Sequence, residues 1–229
     1  MEHLHNGYTL ELCPGAFPLS TDSVALAGFA RLPRNANVLD LGSGCGTLGL
    51  LLCAQHPSCH VTGIELNENA HLTALHNART NSIEDRLTSI CADLRTIHSF
   101  IEPGSFSCCI SNPPYFSAGA KSKTLPAARH DDDCNMESLM EAAAWALKYG
   151  GDFFLVHRPE RLAELFVSAA RHGLEPKRLQ LLHHRVEGPV TLVLVQCRKG
   201  ANPALALEEE YLFDAKGLPT DYYRSLYHI

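Results

Sequence analysis

The sequence predicts an α/β fold: an open, mostly parallel sheet of seven strands, with helices on both faces and a terminal antiparallel hairpin. Two observations support this prediction. Between residues 37 and 172, five apolar segments of strand character alternate with segments of helical periodicity, a pattern typical of parallel sheets. The last two apolar segments, 178–183 and 191–197, are joined only by a turn at 187–189, as antiparallel neighbours are.

Length and composition set the class of protein. The chain has 229 residues, and we expect one domain over 1–229, with an N-terminal extension carrying one helix (1–35), a catalytic core (36–200) and a C-terminal tail (201–229). No apolar run reaches membrane-spanning length and no signal peptide is visible, which predicts a cytoplasmic protein. The 9 cysteines show no Cys-x-x-Cys spacing, so we expect reduced core thiols and no metal site.

The first half of the chain contains three predicted strands. The segment Ser20-Thr21-Asp22 is a candidate N-cap for a helix in the N-terminal extension. The strand at 38–41 leads through a glycine-rich turn into a helix at 47–55. Strands at 60–65 and 87–92 follow, separated by a helix whose N-cap is Asn67.

The second half supplies four more strands. The strand at 106–110 ends at two prolines, and a long polar loop at 117–135 precedes a helix at 136–148. A strand at 153–156 and a helix at 160–172 come before the hairpin. The tail contains three consecutive glutamates and is predicted to end in a short helix after Thr220.

The turn after the first sheet strand is the first candidate binding site. Gly42, Gly44 and Gly46 allow a ligand to approach the backbone closely. Thr47 occupies the place of the third glycine of the dinucleotide-binding pattern, which disfavours a nicotinamide cofactor. Asp40 would repel a pyrophosphate but attract the amino and sulfonium groups of S-adenosylmethionine. A tight strand-to-helix turn without a ligand is the alternative.

Two further acids follow the next two strands. Glu65 stands where a carboxylate can accept both hydroxyl groups of a ribose. Asp93 could accept a hydrogen bond from an adenine amino group, or it could cap the short segment at 94–100.

The segment Ser-Asn-Pro-Pro-Tyr-Phe at 111–116 is the candidate catalytic motif. Its prolines make a stiff loop at a strand end. The Asn112 side-chain oxygen and the Pro113 carbonyl can accept both N–H groups of a planar amine, which draws the nitrogen towards sp3 geometry and exposes its lone pair. Tyr115 and Phe116 can stack on a flat substrate, while Pro114 keeps the loop rigid. A rigid turn that caps a strand is the alternative interpretation.

Basic residues follow this motif. Lys121, Lys123, Arg129 and His130 could form a local basic face for a substrate, although the formal net charge of −6 argues against indiscriminate nucleic-acid binding. The alternative is a set of solvated loop residues. The run at 129–133 matches no common metal-ligand spacing and is better interpreted as an acidic helix N-cap cluster.

With its glycine turn, two downstream acids and Asn-Pro-Pro-Tyr segment in this order, the chain resembles class I S-adenosylmethionine-dependent methyltransferases, which have a Rossmann-like fold. It is similar in particular to bacterial tRNA adenine-N6 methyltransferases that modify the adenosine 3′ of the anticodon of a valine tRNA. Segments 21–24, 38–44, 111–116, 128–130, 156–162 and 174–178 carry the resemblance.

The resemblance implies roles for individual residues. The implied catalytic residues are Asn112, Pro113, Pro114 and Tyr115. The implied cofactor-binding residues are Asp22, Asp40, Gly42, Gly44, Gly46, Glu65, Leu66, Asp93 and Asn112. The implied substrate-binding residues are Tyr115, Phe116, Lys121, Lys123, Arg129 and His130.

The resemblance implies that the substrate is adenine N6 in tRNA. It also implies that the enzyme is a monomer that binds the anticodon loop of the tRNA and binds neither DNA nor a membrane. Other planar amines stay open, namely guanine N2 of ribosomal RNA and glutamine N5 of a protein. A non-catalytic RNA-binding module with this fold is a hypothesis from another class.

Overall fold

The computed structural model describes residues 1–4, 7–114 and 136–228. Their helices are α1 (Thr21–Phe29), α2 (Thr47–Gln55), α3 (Glu68–Thr80), α4 (Met136–Ala146), α5 (Leu162–Arg171) and α6 (Asp221–Tyr227). Their strands are β1 (Glu2–His3), β2 (Thr9–Leu10), β3 (Asn37–Leu41), β4 (His60–Glu65), β5 (Leu87–Cys91), β6 (Phe106–Ser111), β7 (Leu147–His157), β8 (Leu174–Arg185), β9 (Val190–Lys199) and β10 (Ala206–Phe213). Short 3-10 helices cover Leu94–Ser99 and Pro159–Arg161.

Strands β3 to β10 form one sheet in the order β10-β8-β9-β7-β6-β3-β4-β5. Strand β9 runs antiparallel to both neighbours, and the other pairs are parallel. The mostly parallel α/β sheet with a late antiparallel hairpin is therefore confirmed. The chain order reverses between β3 and β6, and ligands bind at such a reversal in open α/β sheets.

The predicted number of seven strands is wrong, because the described sheet has eight. The additional strand is β10, in the segment expected to be an irregular tail. It pairs in parallel with β8, from Ala206 opposite Arg178 to Phe213 opposite Arg185. This strand was not predicted because it contains three consecutive glutamates, and acidic residues are depleted in strands. An edge strand tolerates them, since one side of it faces solvent.

Helices cover both faces of the sheet, as predicted. On one face, side chains such as Leu26 of α1, Leu50 of α2 and Leu226 of α6 form one apolar cluster with the sheet. On the other face, Met140 of α4 and Leu165 of α5 form a second cluster. No helix among the described residues is long and apolar enough to cross a membrane.

Local capping explains where two helices begin. Ser20 Oγ accepts a hydrogen bond from the backbone N–H of Ser23, and Asn67 Oδ1 accepts one from Ala70. Asn67 was predicted as an N-cap and Ser20 belongs to the segment predicted to cap α1, and each fixes the start of a helix beside the carboxyl edge of the sheet. The short helix expected after Thr220 is α6, whose N-cap is Thr220.

Candidate active site

A cavity of about 1120 Å³ lies at the carboxyl edge of the sheet. The ends of five strands contribute to its lining, through Leu41 at the end of β3 and Gly42 after it, Glu65 of β4, Asp93 after β5, Asn112 after β6 and Arg158 after β7. The segment 12–18 forms a further wall. The predicted site residues at the strand ends are thus brought to one place by the parallel arrangement of the strands.

The glycine turn leaves room for a ligand. Gly42 and Gly44 both have positive φ angles, +76° and +55°, and a Cβ atom at either position would have no heavy atom within 4 Å. Backbone in this conformation disfavours larger residues. Gly46 differs, because it does not line the cavity, and a Cβ there would lie 3.2 Å from Ala74 Cβ. Gly46 therefore permits helix packing and does not itself contact the cavity.

The Glu65 carboxylate organises the adjacent backbone. Its Oε2 accepts a hydrogen bond of 2.8 Å from the N–H of Gly44, and its Oε1 accepts one of 2.8 Å from the N–H of Asn67. Each carboxylate oxygen has a second lone pair, so the group can still accept hydrogen bonds from hydroxyl groups in the cavity. This arrangement fits the predicted ribose contact.

Asp93 carries out the capping role that the sequence left open, and it also lines the cavity. Its Oδ1 accepts a hydrogen bond from the backbone N–H of Arg95, and its carboxylate pairs with the Arg95 guanidinium. These hydrogen bonds hold the pKa of Asp93 below its ordinary value. The side chain is therefore a charged acceptor at the cavity wall.

Asp40 is the most unusual acid of the site. It is 1% exposed on β3, and neither carboxyl oxygen has a hydrogen-bond partner among the described residues. Burial, and secondly the charge of Glu65, raise the pKa of Asp40 from 3.8 to about 8. It does not line the cavity, although the next residue, Leu41, does.

Asn112 lies beside the cavity in a fixed orientation. Its Nδ2 donates a hydrogen bond of 3.0 Å to Ser23 Oγ in the first turn of α1. Pro113 and Pro114 follow it along the cavity wall. The amide oxygen and the Pro113 carbonyl are the acceptors that the motif was predicted to present.

Comparisons with known proteins agree with this geometry. The methyltransferase small domain family matches residues 22–169. A tRNA1(Val) (adenine(37)-N6)-methyltransferase of Pedobacter heparinus is 30% identical over 92% of this chain and 89% of that protein. One of Shewanella halifaxensis is 32% identical over 75% of this chain and 70% of that protein.

The chain belongs to the methyltransferase small domain family. Solved structures agree on the fold. A predicted O-methyltransferase from Agrobacterium tumefaciens superposes with a TM-score of 0.75 at 20% identity, over 91% of this chain and 96% of that one. TrmN from Thermus thermophilus gives a TM-score of 0.58 at 20% identity, over 77% and 48%.

S-adenosylmethionine as the cofactor of this methyltransferase is confirmed by its family. The cavity suits that molecule: the glycine turn is open, and three carboxylates, Asp22, Glu65 and Asp93, stand on its wall to meet positive charge. Of the predicted cofactor residues, Leu66 also lines the cavity.

Part of the prediction lies outside the described residues. Tyr115, Phe116, Lys121, Lys123, Arg129 and His130 belong to this group. Their roles as stacking and substrate-binding residues stay predictions.

Sequence reasoning missed several residues of the methyltransferase cavity. Ser23 gave a signal only as part of the family-like segment 21–24, and Arg158 only as part of 156–162. Cys13 and Phe17 gave none, because the wall they belong to has no periodicity. Cys13 also contacts the glycine turn, since Cys45 Sγ lies 3.6 Å from Cys13 Sγ and accepts a hydrogen bond from the Cys13 N–H.

Proposed function

We propose that the protein transfers a methyl group from S-adenosylmethionine to N6 of an adenine in tRNA, at adenosine 37 of tRNA1(Val). The observation that carries this proposal is the fixed Asn112 carboxamide beside an acid-lined cavity at the end of β6. The names of the most similar relatives support the choice of tRNA and of adenine.

The proposed reaction depends on orientation. The bound cofactor supplies a methyl group activated by a sulfonium. Asn112 Oδ1 and the Pro113 carbonyl oxygen accept the two N–H groups of the adenine amine, so that its lone pair leaves the ring plane. Tyr115 stacks on the base and fixes its height. The bond from Asn112 Nδ2 to Ser23 keeps the amide oxygen turned away from α1.

A base must be unpaired before it can enter such a site. In a duplex the N6 amino group of adenine is hydrogen-bonded to the paired base. A small catalytic domain therefore acts on a base in a loop or on one that it flips out of the duplex. The anticodon loop supplies unpaired bases. We therefore propose this loop as the bound part of the tRNA.

The cellular context follows from the substrate. We propose a cytoplasmic monomer in which residues 1–229 form a single domain. The single sheet from β3 to β10, which joins the core to the tail, supports the domain assignment.

The decisive experiment is methylation of total tRNA by the purified protein with labelled S-adenosylmethionine, followed by mass spectrometry of nucleosides. N6-methyladenosine should appear in tRNA from a strain that lacks the gene. Asn112→Ala should keep cofactor binding in calorimetry and lower kcat by several orders of magnitude, because both the acceptor and its orientation are lost. Label in guanosine with none in adenosine, or no label in tRNA at all, would contradict the proposal.

A further inference from the structure

Charge is distributed unevenly around the cavity. Its wall carries the carboxylates of Asp22, Glu65 and Asp93, and among the described lining residues the only Lys or Arg is Arg158. Arg158 follows β7, which pairs with β6, and it is exposed. It therefore stands at the rim, on the side of the cavity from which Asn112 comes.

Arg158 connects this rim to the β8–β9 hairpin. Its Nη1 donates a hydrogen bond of 3.2 Å to the carbonyl of Thr191, the second residue of β9. Thr191 Oγ1 in turn donates one of 3.0 Å to the carbonyl of Leu182 on β8. Two and three residues beyond Leu182, β8 ends in the exposed side chains of His184 and Arg185.

Arg185 is available for a ligand. Within the described part of the chain it forms no ion pair and no side-chain hydrogen bond, although the acidic Glu187 lies two residues further on in the turn. Arg161 and Arg224, by contrast, are paired with Glu164 and Asp221. The strand ends thus present Arg185 and the rim arginine as cations along one edge.

A row of aromatic rings lies next to these cations. The His184 ring centroid is 5.1 Å from that of Phe213, which is 5.1 Å from Tyr223, which is 4.5 Å from Tyr227. The Tyr227 hydroxyl lies 3.2 Å from Thr21 Oγ1, one residue before the cavity-lining Asp22. The row therefore ends beside the first turn of α1, next to the cavity-lining Asp22.

We propose that Arg158, Arg185 and His184 form the surface that binds the RNA strand flanking the target base. Cations spaced along the edge contact successive phosphates, and His184, with Phe213 beside it, offers a face for an unpaired base. The formal net charge of −6 keeps general attraction weak, so that affinity depends on such local contacts. The inference rests on the proposed function, which supplies the RNA.

The test is fluorescence anisotropy with a labelled anticodon-type RNA hairpin, using the full chain with S-adenosylhomocysteine. Arg158→Gln and Arg185→Gln should each weaken RNA binding about three- to tenfold and flatten the plot of log affinity against log salt by about 0.7. Arg185→Lys should restore most of the affinity, because a phosphate contact needs charge more than shape.

The matched control is Arg79→Gln, an equal loss of charge at the exposed C-terminal end of α3, away from the cavity lining. It should bind RNA as the wild type does. Equal weakening in all three variants would indicate bulk electrostatics, and no weakening in Arg158→Gln and Arg185→Gln would exclude the surface; either result overturns the inference. Selective weakening without any methyl transfer to adenosine would support the surface and refute the proposed reaction.

Discussion

The Ser23 hydroxyl contributes to the orientation of the proposed catalytic amide. Asn112 Nδ2 donates to Ser23 Oγ, and loss of that acceptor removes a contact that keeps the amide nitrogen towards α1 and the amide oxygen away from it. We expect Ser23→Ala to lower kcat about fivefold, since one neutral hydrogen bond contributes about 1 kcal/mol. Steady-state kinetics with saturating cofactor measures this effect. Ser89→Ala, which removes a buried hydroxyl bonded to His71 outside the cavity lining, is the control; equal kcat values in both variants would contradict the role of Ser23.

Asp40 makes stability depend on pH. Its pKa is raised to about 8 by burial, with a smaller contribution from Glu65, whereas the unfolded chain releases this proton near the model-peptide value of 3.8. Between these values the folded protein holds the additional proton, so the free energy of unfolding falls as pH rises, by at most about 1.4 kcal/mol per pH unit. The loss is complete above the folded pKa.

Asp40→Asn should remove this dependence. Relative to the wild type, the variant should gain stability progressively from about pH 5 to about pH 8, because an amide has no proton to lose in that range. Urea denaturation of the cofactor-free protein across this range measures the difference. A difference that stays constant with pH would show that Asp40 is already ionised in the folded state.

At the scale of elements, Arg178 of β8 stabilises the pairing of the C-terminal strand β10 with the sheet. Its guanidinium donates two hydrogen bonds to Glu208 of β10, at 3.1 and 3.0 Å, and lies 4.2 Å from the centroid of the Phe29 ring. We expect Arg178→Gln to lower the free energy of unfolding by about 2–3 kcal/mol, because the side chain is mostly buried while Glu208 is partly solvated. Chemical denaturation measures the loss.

An exposed ion pair provides the control for this variant. Arg171 pairs with Glu137 at 2.7 Å, but both side chains are largely solvent-exposed. Arg171→Gln should therefore lower the free energy of unfolding much less than Arg178→Gln does. If both arginine variants lost the same stability, burial and the contacts with β10 and Phe29 would not matter.

The elements show which features a sequence can reveal. The strands from β3 to β7, the capping segment 20–22 and the N-cap Asn67 were predicted because apolar runs and cap residues are local signals. Strand β10 was missed because its glutamates are stabilised by distant partners, Arg178 for Glu208 and His183 for Glu209.

The residues of the candidate site likewise fall into those that the sequence predicts and those that only long-range contacts place. The residues at strand ends could be placed at one edge by the parallel arrangement alone. The bond between Asn112 and Ser23 joins residues 89 positions apart, and no local pattern encodes it. The same holds for the wall at 12–18, which is positioned partly by hydrogen bonds from the backbone of Thr9 and Glu11 to the side chains of Asn81 and Asn77.

On the scale of the whole molecule, the carboxyl edge of the sheet is divided by charge. The half formed by β4 and β5 carries Glu65 and Asp93, whereas the exposed Arg158 follows β7 and the exposed Arg185 ends β8; the third wall acid, Asp22, lies in the first turn of α1. Asn112 follows β6, which lies between them in the sheet. In the proposed complex the cationic methyl donor and the anionic RNA lie on opposite sides of the amide, which matches their charges to separate surfaces.

This division predicts which ligands stabilise the protein. S-adenosylhomocysteine at about 100 times its Kd should add about 2.7 kcal/mol to the free energy of unfolding, which raises the Tm by about 5–10 °C for a chain of this size. NAD, the control ligand, should give no shift, because its pyrophosphate would meet the acidic half of the cavity. Glu65→Ala should lose most of the shift with S-adenosylhomocysteine, since Glu65 also holds Gly44 and Asn67 in place. Differential scanning fluorimetry measures the Tm of the wild type with each ligand and of Glu65→Ala with S-adenosylhomocysteine. A rise in Tm with NAD alone would contradict the assignment of the acidic half to the methyl donor.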